Sequence, residues 1–91
     1  MKTYLSASLT TGNNTVGLGN SVYYGWNCTV VTAVGVINIR KSSITGQIID
    51  VIPVATAAGS NRDYSYGSAM DGPIFVEFVG GATGTVVIKY E

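Results

Sequence analysis

AVGVINIRKSSITGQIIDVIP, Ala33 to Pro53, contains two β-branched runs, Val34–Lys41 and Gln47–Ile52, around a polar turn that ends at Gly46. Folding the runs back so that partner numbers add to 88 places Ile37 opposite Val51 and Ile39 opposite Ile49 on one face. Val36 then meets Ile52 and Asn38 meets Asp50 on the other face, with Arg40 diagonal to Asp50. This register sorts apolar with apolar and sets opposite charges within reach, as cross-strand pairing favours. The stretch is therefore predicted to be a β-hairpin buried on one face and half-buried on the other.

Working outward, the 91 residues suit one domain, 1–91, able to bury about two thirds of the surface the unfolded chain exposes. Hydrophobic residues make up 46% of the chain and charged ones 11%, against about 25% charged in soluble domains. A surface this poor in charge must be covered by Ser, Thr, Asn and Gly or by other protein, and zero net charge favours association. Five basic residues leave no patch for nucleic acid. The single Cys28 excludes an internal disulfide. No apolar run approaches the roughly 20 residues of a membrane helix, and MKTYLSASLTTGNN lacks the apolar core of a signal peptide. These features predict a chain made in the cytoplasm, with no membrane partner.

Before the hairpin, Lys2–Thr10 alternates, with Leu5, Ala7 and Leu9 on one face, as a half-wet strand does. Thr11–Asn14 reads as a turn, and Thr15–Ser21 as a Gly- and Asn-rich segment anchored by Val16 and Leu18. Val22–Val31 is a strand opening with Tyr23, Tyr24 and Trp26. After the hairpin, Arg62–Tyr66 is a short strand and Gly67–Gly72 a loop. Ile74–Val79 and Thr85–Tyr90 flank GGATG and pair as a second hairpin, Val76 opposite Ile88 and Phe78 opposite Val86, with Glu77 diagonal to Lys89. About seven short strands without a helical period predict an all-β fold. It is a small antiparallel sandwich or barrel, jelly-roll-like or immunoglobulin-like. The terminal strands carry little charge, and pairing between subunits would satisfy their edges.

The chain contains no histidine, which removes Ser-His-Asp and Cys-His catalysis and the commonest metal ligand. Asp50 and Glu77 have predicted cationic neighbours, and Asp63 and Asp71 stand in turn contexts, so no glycosidase pair is expected. Gly17-Leu18-Gly19 lacks the rest of a phosphate-binding motif. No catalytic, metal or cofactor residue is assigned. Tyr23, Tyr24, Trp26, Tyr64 and Tyr66 remain as core, as protein interface or as a sugar-stacking platform.

The layout of Ala33–Glu91 resembles a small β-domain found among tailed-bacteriophage proteins encoded with virion genes. The matching segments are VGVINIR, QIIDVIPV, ATAAGSNRDY, GPIFVEFVG and ATGTVVIKYE. The resemblance implies a non-enzymatic virion protein, foremost a homo-oligomeric capsid cement or decoration subunit on the capsid surface. Its implied partners are copies of itself and a major capsid protein. A carbohydrate-binding module of a fibre or tail, with a glycan as partner, is the alternative. The candidate contact residues are Tyr4, Leu5, Leu9, Tyr23, Tyr24, Trp26, Tyr64 and Tyr66.

Overall fold

The computed structural model describes residues 5–17 and 19–91, apart from the side chains of Ser65 and Tyr66. Among the described residues eight strands run in order: β1 (Leu5–Leu9), β2 (Asn13–Val16), β3 (Val22–Ala33), β4 (Ile37–Lys41), β5 (Ile48–Ile52), β6 (Asn61–Ala69), β7 (Ile74–Phe78) and β8 (Thr83–Tyr90). The all-β expectation holds, with one strand more than the sequence predicts. That strand is β2. Asn13 and Asn14 were expected in a turn, but they enter a ladder against Glu77 and Val76 of β7.

Two four-stranded antiparallel sheets, β1-β8-β3-β6 and β2-β7-β4-β5, form the sandwich. The pairs β1–β8, β2–β7, β3–β6 and β4–β5 nest one inside the next. The chain is thus one long hairpin with its tip between β4 and β5, rolled until β8 also lies beside β3 and β7 beside β4. This is the jelly-roll arrangement of an eight-stranded sandwich. It differs from the immunoglobulin-like alternative in its strand order.

Rolling overturns the second predicted hairpin. β7 and β8 follow one another in sequence but lie in opposite sheets. The 3-10 turn Val79–Gly81, with Gly80 and Gly81 at positive φ, carries the chain from one sheet to the other. Val76, Phe78, Val86 and Ile88 are all buried as predicted, but they belong to two layers of one core and not to one ladder. The Thr85–Tyr90 strand is consequently interior, held between β1 and β3.

The first hairpin forms, with its register moved by one residue. Ile37 pairs with Ile52, Asn38 with Val51 and Ile39 with Asp50, and a bulge follows before Arg40 meets Ile48. A one-residue slip exchanges the faces of a strand, so Asp50 turns inward and Val51 outward. The predicted ion pairs change partners too, Arg40 because Asp50 turns inward and Lys89 because β8 lies beside β3 and not β7. Arg40 Nε lies 3.0 Å from Glu77 Oε1, and Lys89 Nζ lies 3.6 Å from Asp63 Oδ1.

The core fills the space between the sheets. Ile37, Ile39 and Ile52 come from β4 and β5, Ile74, Val76 and Phe78 from β7, and Val86 and Ile88 from β8. Trp26 and Cys28 join them from β3. Burying each large side chain is worth about 1.5–3 kcal/mol. β3 is kinked at Gly25, where its registers with both β6 and β8 shift. Gly25 has φ +124°, and a Cβ there would run into the Arg62 carbonyl, so the bulge requires glycine.

Candidate interaction surface

The aromatic positions separate cleanly. Tyr23, Tyr24 and Trp26 are 1%, 2% and 4% exposed, so these three lie in the interior of the folded chain and are removed from the candidate contact surface. The physical reason is the β3 bulge, which lets neighbouring residues on one strand both turn into protein. Tyr23 and Trp26 join the main core. Tyr24 packs where a Gly67 side chain would stand, with its hydroxyl 3.5 Å from Glu91 Oε1.

Tyr64 is half-buried, its ring centroid 5.9 Å from that of Tyr23. Both phenols converge on Asp50. Tyr23 Oη donates to Asp50 Oδ2 at 2.7 Å and Tyr64 Oη donates to the same oxygen at 3.2 Å. Asp50 Oδ1 accepts the backbone N–H of Val51 at 2.9 Å. The carboxylate therefore fastens β5 of one sheet to β3 and β6 of the other with charge-assisted hydrogen bonds, which are stronger than neutral ones. Burial pushes the Tyr23 hydroxyl far above the ordinary tyrosine range, and the Asp50 hydrogen bond and charge add to that. The side chain acts as a donor, not as a base.

Sequence reasoning missed this pin because it assigned Asp50 to the hairpin's outer face. Burial likewise raises the Cys28 thiol above its usual range, and its Sγ donates to the Val30 carbonyl at 3.1 Å. Among the described residues no group of three or more His, Cys, Asp or Glu side chains is placed to hold a metal ion.

Leu5 and Leu9 fare differently. Leu5 is 58% exposed at the start of β1, whereas Ala7 and Leu9 pack against the core margin. Leu5 lines an open hollow of about 290 Å³ together with Gly17, Ser21, Tyr90 and Glu91. Tyr4 and the Tyr66 side chain lie outside the described residues.

The strongest surface feature was not among the predicted contacts. Val30, Val31, Val34 and Val54 are all exposed, Val34 by 72%. Thr32 ties their segments together: its Oγ1 donates to the Pro53 carbonyl at 2.8 Å, and its carbonyl accepts the Ala55 N–H at 2.9 Å. Register shifts after Cys28 and Val30 turn β3 so that consecutive valines face solvent. Val34 itself has φ +74°, a left-handed conformation that a β-branched residue rarely takes. The Val-Val pair was the available signal, but strict alternation would have sent one of the two inward.

These features define an eight-stranded jelly-roll sandwich with exposed valines on the two segments that Thr32 joins and a polar pin across its interior. The chain matches no protein-family model, no curated protein and no solved structure.

Proposed function

We propose that this chain is a non-enzymatic structural subunit of a virion. The favoured role is a homo-oligomeric cement or decoration protein that lies on a tailed-phage capsid and binds the major capsid protein. The observation that carries the reading is the exposed valine cluster around Val34. A strained backbone retained beneath an exposed apolar side chain is the kind of outlier that points to a functional contact. The scarcity of charge supports the same reading. The resemblance of Ala33–Glu91 to virion-encoded β-domains supplies the setting. Repetition over a symmetric shell makes modest contacts strong collectively.

The alternative, a carbohydrate module, loses the platform that motivated it, because Tyr23, Tyr24 and Trp26 are buried.

Co-sedimentation with purified capsids tests the proposal. The wild-type chain is expected to pellet with capsids, and V30S/V31S/V34S to remain in the supernatant with unchanged circular dichroism. A wild-type chain that ignores capsids and is missing from virions by mass spectrometry overturns it.

A further inference from the structure

The sandwich has four edge strands, and three of them carry a feature that discourages pairing with another chain. β2 is only four residues long. β5 points Asp50 inward and carries a bulge, and one of its backbone donors is already engaged by that carboxylate. β6 bears Arg62 and Asp63 and lies along the bulged part of β3. Short length, inward charge, bulges and charged side chains are the recognised means of blunting an edge. β1 has none of them. Its five residues pair with β8 in unbroken register, Leu5 with Tyr90 through Leu9 with Val86, and none is charged.

β1 is also its own complement. Its sequence, LSASL, reads the same in both directions. An antiparallel copy centred on Ala7 sets Leu5 against Leu9, Ser6 against Ser8, and Ala7 against Ala7. No like charges meet. The same operation on β5 would bring Asp50 against Asp50. The leucines and Ala7 share one face of the strand, so Leu9 of the second copy would cover the exposed Leu5.

We infer that β1 is a two-fold docking edge for a second copy of this chain, joining two four-stranded sheets into one of eight. An isologous contact of this kind closes on itself and stops at a dimer. A five-residue strand pair falls short of the about 1,200–2,000 Å² buried by stable interfaces. The dimer is therefore expected to dissociate on dilution and to be favoured where copies are held close together, as on a shell. The inference rests on the self-association part of the function proposed above and is independent of capsid binding.

Sedimentation velocity across a micromolar to millimolar series tests it with three forms of the full chain. Ser6 lies opposite Lys89 within the fold, so Glu is tolerated there. S6E/S8E puts like charges opposite each other in the dimer and is expected to weaken self-association about tenfold. S6E/S8K puts opposite charges there and is expected to restore it. A7C is expected to form a disulfide-linked dimer under mild oxidation, and S6C alone is not, because position 6 faces position 8. A wild type that is monomeric throughout the series overturns the inference. So does a dimer that S6E/S8E leaves intact, and in that case self-association through another surface survives. Loss of capsid binding in V30S/V31S/V34S with an unchanged β1 dimer separates the two proposals.

Discussion

Two residues make opposite use of the backbone and the core. Val34 holds a β-branched side chain at positive φ, which costs on the order of 1–2 kcal/mol. Glycine adopts that conformation freely, and the site is solvent-exposed. V34G is therefore expected to raise stability by about 1 kcal/mol in urea unfolding while weakening capsid co-sedimentation. A change in the same direction for both readouts would remove Val34 from the contact. Tyr23 stabilises through its proton. In the unfolded chain its hydroxyl ionises near pH 10, but in the folded chain it stays protonated well above that. Its contribution is thus complete below about pH 10 and declines as pH rises further, by up to about 1.4 kcal/mol per pH unit. Y23F is expected to cost about 1.5–3 kcal/mol at neutral pH and to flatten the alkaline limb of the stability curve. An equally steep limb in Y23F would place the titrating group elsewhere.

At the scale of elements, the long strand β3 depends on its bulge. G25A forces a side chain toward the Arg62 carbonyl in a left-handed backbone. It is expected to cost at least about 1–3 kcal/mol, seen as a lower urea midpoint with an unchanged slope. A neutral G25A would show that the bulge can be rebuilt around a methyl group. The bulges also explain what the sequence left hidden. Strand positions were legible for seven of the eight strands because alternating runs such as Ile74, Val76 and Phe78 mark an inner face directly. Register was not. One extra residue on β5, Ile49, shifts the β4–β5 pairing, and nothing in QIIDVI distinguishes an Asp50 that salt-bridges Arg40 from one that turns inward to two tyrosines. The same blindness sent Tyr23, Tyr24 and Trp26 to the candidate surface, since a bulged strand can bury neighbours that a regular one would separate.

For the whole molecule, periodicity reveals which face of a strand is apolar but not which strand lies beside it. Val76 and Ile88 satisfy the hairpin pattern equally well as ladder partners or as opposing layers of a sandwich. The choice is made by Gly80 and Gly81, which redirect the chain between sheets. The candidate surface was less legible still: Leu5 and Leu9 belong to the edge strand β1, whereas the exposed valines come together only where Thr32 gathers segments more than twenty residues apart.

The nested pairing has a mechanical consequence. Leu5 and Tyr90 stand opposite each other at one end of the β1–β8 ladder. Tension applied through the two ends of the chain therefore loads a single rung at a time and peels the ladder open at low force. Sideways load across the sheets is instead shared by every rung at once. A domain built in this way withstands shear across its sheets, yet comes apart readily when drawn out by its ends.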